Sequence, residues 1–340
     1  MSKSGCGCGC GAVTQVQPAT PATLNTKLTW RDVLGGWRVR WGIGRMSYRI
    51  APGLYRIGQP DSKSPVLVTA NYKLTVDAVR RWLVGLNVWL LVLDTNGVNV
   101  WCAAGKGTFG TEELVRRIEA TGLARMVEHR RLVLPQLGAV GVAAHEVKRA
   151  TAFSVSYGPV RARDIPAYLA AGMRATPAMR LVSFGWKERL IVAPMELVGA
   201  WKPALGILAA LVVLDLVRHR ELTPHLAADI VRFLGAILTG GVLVPLLLPW
   251  LPSRAFSVKG AVAGALWAAA SALWLPTGTV EAAGAALLIT AITSYMALNF
   301  TGATTFTTNA GARLEVRRAL APILVAAGVG AILRVAAAFV

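Results

Sequence analysis

The sequence predicts two regions, an α/β domain followed by an all-α membrane domain. The chain has 340 residues, of which 54% are hydrophobic and only 16% are charged, whereas about a quarter of the residues in an ordinary soluble domain are charged. Of the 36 Lys and Arg residues, 26 lie among the first 200 positions. Short β-type runs alternate with helical patterns in that first part, and long apolar stretches fill the remainder. The high apolar content excludes a disordered chain, and the absence of a strict glycine period excludes a collagen-like one.

Residues 1–48 are expected to form a flexible tail, because they mix Gly, Thr, Pro and Arg without sustained periodicity. Three cysteines, Cys6, Cys8 and Cys10, are too closely spaced for a disulfide framework, which indicates a reducing compartment. Their thiols suit a soft ion such as Hg(II) but fall short of a closed four-ligand zinc site, and a tail without function fits equally well. Because the first residues lack the apolar stretch of a signal peptide, we expect the next domain to stay in the cytoplasm.

Residues 49–196 are predicted to form a Rossmann-like α/β domain. The β-type runs are 65–69, 88–94, 131–134 and 153–157. The helical patterns between and after them are 74–83, 111–121 and 166–172. This alternation, with strands that are continuous apolar runs, predicts a parallel sheet covered by helices on both faces.

Residues 197–340 are predicted to form a transmembrane domain of about five helices. The apolar stretches are 203–217, 229–250, 258–275, 280–299 and 319–339, and a helix needs roughly 20 residues to cross a bilayer core. The aromatic residues placed as interfacial anchors are Trp201, Trp250, Trp274 and Tyr295. With the first domain in the cytoplasm, the inner loops carry Arg254, Lys259, Arg313, Arg317 and Arg318, and the outer side carries Arg218 and Arg220. The expected location is therefore the cytoplasmic membrane, where anionic lipid rather than nucleic acid accounts for the net charge of +19.

The segment 99–110 carries the strongest chemical signal, and its glycines allow one interpretation as a dinucleotide fingerprint. Gly105, Gly107 and Gly110 satisfy G-x-G-x-x-G, and Glu128 follows at about the distance of a ribose-binding carboxylate. However, residues 95–102 separate these glycines from the preceding strand, and a tight phosphate turn has no need of such an insertion. A membrane-bound NAD(P)-dependent oxidoreductase is therefore the weaker hypothesis.

Cys102 within this segment has two further interpretations. It is either a small buried hydrophobe or a ligating thiolate. In the second case Ala103, Ala104 and Gly105 remove bulk so that a broad planar ligand can approach the backbone. Lys106 would then favour the thiolate or hold an anionic group of the ligand.

The run Asn99-Val-Trp-Cys-Ala-Ala-Gly-Lys106 resembles the cap-helix motif of the mercury-methylating corrinoid proteins, the HgcA family. Other segments that resemble this family are 68–72, 129–138, 142–146, 157–160 and 299–302. The resemblance implies a cobamide with Cys102 as the lower axial ligand of its cobalt. It further implies a domain related to the corrinoid domain of the corrinoid iron–sulfur methyl carriers of acetyl-CoA synthesis.

The resemblance also implies a set of cofactor-binding residues around Cys102. Those in the cap motif are Asn99, Val100, Trp101, Ala103, Ala104, Gly105 and Lys106. Those in the rest of the domain are Thr69, Asn71, Thr108, Gln136, Gly138 and His145. The polar members of the second group have side chains that suit corrin amides or the nucleotide tail, but each could equally close a loop or cap a helix.

The function that the resemblance implies is methyl transfer to mercury. Reduced cobalt takes a methyl group from a methyl donor protein or a methyl-folate-type donor, and the methyl-Co(III) cobamide delivers it to Hg(II) to form methylmercury. Because the sequence lacks a clustered four-cysteine motif, electrons must come from outside, and the resemblance implies a ferredoxin-like partner with two 4Fe–4S clusters. No residue identifies the acceptor, so a membrane-tethered methyl carrier with a non-mercury acceptor remains an alternative.

Overall fold

A computed structural model describes residues 21–275, 277–301, 304 and 306–337. The three cysteines predicted to hold a soft ion lie outside the described residues. Contacts divide the chain into two compact units, one of residues up to Gly36 with Met46–Leu181, the other of Trp37–Arg45 with Val182 onwards.

The first unit is built on a six-stranded mixed sheet. Its strands are β1 (Ala22–Thr23), β2 (Gly53–Ile57), β3 (Val66–Ala70), β4 (Val88–Leu93), β5 (Arg131–Leu134) and β6 (Ser154–Tyr157). They lie in the order β1-β2-β4-β3-β5-β6. β3 pairs parallel with β4 and β5, and β5 pairs parallel with β6, whereas β2 runs antiparallel to β4.

The prediction of a parallel sheet is thus confirmed for β3 to β6 and wrong for the pair of β2 and β4. The sequence signal for β2 is weak because Tyr55 and Arg56 interrupt its apolar residues, and only Leu54 and Ile57 are buried. β3 and β4, by contrast, are buried at every position. Continuous apolar runs identify strands covered on both faces and miss a half-exposed strand such as β2.

Helices cover both faces of this sheet. They are α2 (Lys73–Arg80), α3 (Val100–Lys106), α4 (Thr111–Thr121), α5 (Leu123–Met126), α6 (Ala144–Thr151) and α7 (Ile165–Ala170). One apolar core lies between the sheet and α3 to α6, and the second lies between the sheet and α2 and α7. The predicted alternation of strands and helices is therefore confirmed.

The topology of the parallel strands identifies one place where a ligand would bind. From β3 the chain moves to β4 on one side, and it then crosses to β5 on the other side of β3. The winding direction therefore changes between β3 and β5. In open α/β sheets ligands bind at the carboxyl ends of the strands beside such a switch point.

An additional helix, α1 (Trp30–Arg40), lies in the segment that was expected to be a flexible tail. The expectation missed it because this helix is held by specific polar contacts. Asp32 forms ion pairs with Lys73 and Arg80, both on α2. The apolar residues of α1 do have helical spacing, but Gly35 and Gly36 within it lower the helix propensity, and contacts between distant residues are not visible in the local sequence.

The described residues of the second unit contain five helices that are long and apolar enough to cross a membrane, as predicted. They are α8 (Trp186–His219), Pro224–Leu247, α11 (Phe256–Trp274), α12 (Thr279–Phe300) and α13 (Asn309–Ala336). The second consists of α9 (Pro224–Leu238), a π-helical turn (Thr239–Leu243) and α10 (Val244–Leu247). α8 begins well before the predicted stretch because its first turns carry charged residues, which a hydropathy pattern excludes.

Candidate functional site

The loop from β4 to α3 is held by a buried asparagine that follows β3. The side-chain oxygen of Asn71 accepts hydrogen bonds from the Thr95 N–H at 3.1 Å and the Gly97 N–H at 3.0 Å, and its amide group donates to Asp94 at 2.9 Å. Asn71 is 1% exposed, so these bonds replace its contacts with water. Asn71 was predicted to contact a cofactor. In the structure it fixes the loop that leads into α3.

Asn99 begins α3 by capping it. Its side-chain oxygen accepts a hydrogen bond of 2.9 Å from the Cys102 N–H, and the helix ends at Gly107, which has a φ of 82°. A helix of seven residues is too short to be stable alone in water. The cap and the Asn71 contacts therefore fix both the position and the direction of Cys102.

The two faces of α3 differ in chemistry. Val100, Ala103 and Ala104 are buried. The exposed face carries Trp101, Cys102, Gly105 and Lys106. Since Cys102 is exposed and unbridged, the alternative that it is a small buried hydrophobe is wrong.

The alanines of the motif provide close packing toward the core. A Cβ placed on Gly141 would lie 3.0 Å from the Cα of Ala104 and 2.2 Å from the carbonyl oxygen of Phe109. A Cβ on Gly138 would lie 2.5 Å from the Phe109 ring. Ala103 and Ala104 thus make room for the inward contact rather than for an outer ligand, and Gly138 serves the same packing.

Gly105 is the residue of the motif that leaves space on the outside. A Cβ built on it meets nothing within 4 Å. It lies three residues after Cys102, so the two positions share one face of the helix. Because no side chain stands one turn away from the sulfur of Cys102, a broad planar ligand can approach this surface.

Three other polar residues predicted to bind a cofactor lie near the same edge of the sheet. Thr69 on β3 is 2% exposed, and its hydroxyl has no hydrogen-bond partner among the residues that the structure describes. The Thr108 hydroxyl donates to the carbonyl of Ala103 at 3.4 Å. Gln136 accepts a 2.7 Å bond from Arg180. Thr69 is thus the one of these three whose polar group is left for a ligand.

His145 lies apart from this polar arrangement. Its side chain is 80% exposed, and its ring nitrogen is 4.0 Å from the carboxylate of Glu146. Its position at the start of α6 follows the β5 loop.

The structure does not support the dinucleotide interpretation. Gly105 lies inside α3, Gly107 ends that helix, and Gly110 precedes α4, so the three glycines do not form one turn after a strand. Glu128 precedes β5, at the amino edge of the sheet, and accepts a 2.6 Å hydrogen bond from Ser62. A ribose-binding carboxylate would lie at the opposite edge.

A cavity of about 410 Å³ also lies at that amino edge. Its basic lining residues are Lys63, His129 and Arg131. His129, which belongs to a segment that resembles the corrinoid family, is hydrogen-bonded to the carbonyl of Ser64 at 2.9 Å. This cavity is thus separated by the length of the strands from the edge that carries Cys102.

Sequence reasoning missed Glu113, which supports the site from α4. Its carboxylate accepts a 2.7 Å hydrogen bond from the Asp94 N–H at the end of β4 and pairs with Arg116 and Arg117. Burial alone would raise its pKa, but these hydrogen bonds hold the pKa of Glu113 below its ordinary value. Charged residues such as Glu113, Arg116 and Arg117 are common on an exposed helix, so the local sequence gave no sign that Glu113 contacts the end of β4.

Residues 44–169 match the protein family described as CO dehydrogenase/acetyl-CoA synthase delta subunit (CdhD). The chain is 39% identical over 127 residues to the acetyl-CoA decarbonylase/synthase complex subunit gamma of Methanopyrus kandleri, covering 37% of this chain and 27% of that protein. It is 31% identical over 148 residues to the corrinoid/iron-sulfur protein large subunit of Moorella thermoacetica, covering 43% and 31%.

The chain thus spans less than a third of the length of these relatives. The matched segment contains strands β2 to β6, α3 and the loop held by Asn71, while β1 and α8 to α13 lie outside it. Residues 44–169 are therefore similar to the CdhD family and to the corrinoid/iron-sulfur protein large subunit.

Proposed function

We propose that this protein is a membrane-anchored, corrinoid-dependent methyltransferase that transfers a methyl group from a cobamide to Hg(II), forming methylmercury. The observation that carries the proposal is the exposed Cys102 on a fixed short helix at the carboxyl edge of the sheet. The family of the matched domain supports a corrinoid cofactor. The resemblance of the cap motif to the HgcA family supports mercury as the acceptor.

The residues of the carboxyl edge fit a corrinoid. α3 contacts β3 and the turn at residues 136–138, so it lies beside the switch point between β3 and β5. Gly105 leaves the surface next to Cys102 low, and Thr69 provides a buried hydroxyl without a partner in the described part of the chain. We propose that Cys102 and Gly105 contact one face of the corrin ring and that the Thr69 hydroxyl hydrogen-bonds to a polar group of the cofactor.

Cys102 would act as a soft, strong donor to the cobalt. A bound cobamide supplies a cobalt ion that accepts and donates a methyl group. As a ligand to that ion, the Cys102 thiolate would supply electron density and so would favour transfer to a soft electrophile such as Hg(II). Asn99, by capping α3 at the Cys102 N–H, keeps the sulfur on the outer face.

The electron donor and the location of this protein are part of the same proposal. The four cysteines, at positions 6, 8, 10 and 102, do not have the spacing of a ferredoxin cluster site. We therefore propose that a ferredoxin-like protein with two 4Fe–4S clusters reduces the cobalt. The five membrane-length helices of the described residues support a membrane location. We further propose that this is the cytoplasmic membrane and that the α/β domain lies in the cytoplasm.

Methyl transfer by the full chain in detergent tests the proposal. The protein is loaded with methylcobalamin under anaerobic conditions, Hg(II) is added as its thiol complex, and methylmercury is measured against free methylcobalamin and against Cys102→Ala. We expect the parent protein to form methylmercury faster than the free cofactor, and the variant to lose this gain.

The possible outcomes distinguish a methyl carrier that acts on mercury from one that acts on another acceptor. If the loaded parent methylates an added thiol but not Hg(II), a methyl carrier with a non-mercury acceptor is correct and the mercury proposal is wrong. If no methyl group is transferred to either acceptor, or if the variant equals the parent, the role of Cys102 in transfer is wrong.

A further inference from the structure

Helix α1 is anchored through its polar inner face. Thr29 and Asp32 form a capping box in which the Thr29 N–H and hydroxyl donate to the Asp32 carboxylate at 2.9 and 2.8 Å. The same carboxylate pairs with Arg80 at 2.8 Å. Val39, seven residues after Asp32 and thus on the same face, is 2% exposed. The helix therefore directs its acidic residue inward.

The outer face of α1 is aromatic and apolar. Its exposed large side chains are Trp30, Val33, Leu34, Trp37 and, just after the helix, Trp41, with exposed fractions between 41% and 70%. Spacings of three and four residues place them on one stripe. In the following turn Ile43 and Met46 are also exposed. A contiguous apolar stripe of this size is typical of a surface that meets a partner other than water.

Basic residues flank this stripe. Arg31 and Arg38 are exposed, and the Arg31 guanidinium lies 5.5 Å from the centre of the Trp30 ring. Tryptophan and arginine side by side are characteristic of helices that lie in the headgroup region of an anionic bilayer. This charge complementarity favours a lipid surface as the occupant.

Contacts with α8 place the end of α1 near the point where that helix becomes membrane-like. Arg45 donates to the sulfur of Met195 at 3.5 Å, and a Cβ on Gly42 would lie 3.1 Å from Val198. Trp201 follows Val198 by three residues, with the Lys202 ammonium 5.7 Å from its ring centre. The long apolar run of α8 begins directly after this pair.

We propose that α1 is an interfacial helix, with its tryptophan stripe inserted among the headgroups and upper acyl chains of an anionic bilayer. The residues that enter the bilayer are Trp30, Val33, Leu34, Trp37 and Trp41. Arg31 and Arg38 contact lipid phosphates. The assignment does not depend on the corrinoid chemistry of the α/β domain.

Site-specific photocrosslinking in the full chain tests the assignment. Trp37 is replaced by p-benzoylphenylalanine, and the protein is reconstituted in nanodiscs of phosphatidylcholine with phosphatidylglycerol. The matched control is the same replacement at Trp82, another exposed tryptophan that lies beside an arginine, Arg81. Lipid adducts are counted by mass spectrometry. We expect several-fold more lipid adduct at position 37 than at position 82.

Charge-reversal variants distinguish a lipid surface from other partners of the tryptophan stripe. Arg31→Glu with Arg38→Glu is expected to lower the adduct at position 37 in anionic nanodiscs and to leave it unchanged in pure phosphatidylcholine. Equal adduct at both positions, or none at position 37, would overturn the assignment. An adduct between two protein chains at position 37 would do the same and would indicate a protein partner.

Discussion

Helices α1 and α3 are both fixed from inside and present their unusual residues outward. A polar residue holds each of them, the half-buried Asp32 for α1 and the buried Asn71 for the loop before α3. What they present differs. α3 exposes a thiol beside a glycine, whereas α1 exposes a stripe of tryptophans. The comparison teaches that the polar anchor sets the direction of a short helix, and that the exposed side chains then determine whether it meets a planar cofactor or a lipid surface.

The largest expected effect comes from removing the anchor of α3. Asn71→Ala removes the acceptor of the buried Thr95 and Gly97 N–H groups and one of the donors to the Asp94 carboxylate. Because buried groups without partners cost about 1–3 kcal/mol each, we expect a loss of roughly 3 kcal/mol in the free energy of unfolding. Urea unfolding of the full chain in detergent measures it.

Asn87→Ala is the matched control for this prediction. Asn87 is exposed and accepts one hydrogen bond, from the Gln59 N–H at 2.9 Å. It should cost less than about 1 kcal/mol, as expected for one solvent-exposed bond. Equal losses in the two variants would show that Asn71 does not act as an anchor.

The contact beneath α3 gives the next largest effect. Gly141→Ala places a Cβ against the Phe109 carbonyl and the Ala104 backbone, which cannot move as a flexible side chain would. We expect a loss of about 2 kcal/mol and a weaker hold on the cofactor, since overpacking shifts the helix. Urea unfolding and cobamide titration measure the two effects. An unchanged stability would indicate that α3 does not depend on this close approach.

Acid should weaken the contacts that the carboxylates of Asp32 and Glu113 make. Burial would raise the pKa of Asp32, but hydrogen bonds from Lys73, Thr29 and Arg80 lower it well below its ordinary 3.8, and Glu113 is likewise held below its ordinary 4.5. The stabilisation from a carboxylate with a lowered pKa is complete above the unfolded value and is lost as the pH falls through the folded value. Unfolding free energy measured from pH 6 downward (about one unit per step) should therefore begin to fall near pH 4–5.

Variants separate the two carboxylates in this titration. Asp32→Asn and Glu113→Gln should each flatten the acid loss in part, since each removes one titrating group. A stability that rises as the pH falls below these values would contradict the assigned directions.

The smallest expected effect is that of Gly105→Ala, which should raise the free energy of unfolding and weaken cobamide binding. Gly105→Ala lies within α3 and meets open space, so it should stabilise the protein by about 0.5–1 kcal/mol through helix propensity. The same methyl group stands on the face of Cys102 and should weaken cobamide binding. A variant that is more stable and binds the cobamide as tightly as the parent would show that Gly105 does not line the cofactor face.

The sequence was sufficient for the buried strands and the membrane-length helices. β3, β4 and β5 are continuous apolar runs, and the five long helices are visible in the same way. Strand β2 was missed because Tyr55 and Arg56 face partly outward. Helix α1 was missed because Gly35 and Gly36 interrupt its pattern and its anchor residues, Asp32 and Arg80, are 48 positions apart.

The candidate site was predictable where a motif is local. The run from Asn99 to Lys106 indicated a helix that carries Cys102, but the inward direction of Ala103 and Ala104 depends on contacts with the distant Gly141. The loop-fixing role of Asn71 likewise requires knowledge of the neighbouring strand, which no pattern within one segment contains. Glu113 was missed for the same reason.

The central claim is that Cys102 binds the cobalt of a cobamide, and an anaerobic absorption spectrum tests it most directly. The full chain in detergent is reconstituted with a Co(III) cobamide, and the parent is compared with Cys102→Ala. Glu119→Ala, an exposed position on α4 with no predicted role in the site, serves as the control. We predict a spectrum shifted by thiolate ligation in the parent and in the control, and loss of that shift in Cys102→Ala. If the parent and Cys102→Ala give the same spectrum, or if the parent binds no cobamide, the claim is wrong.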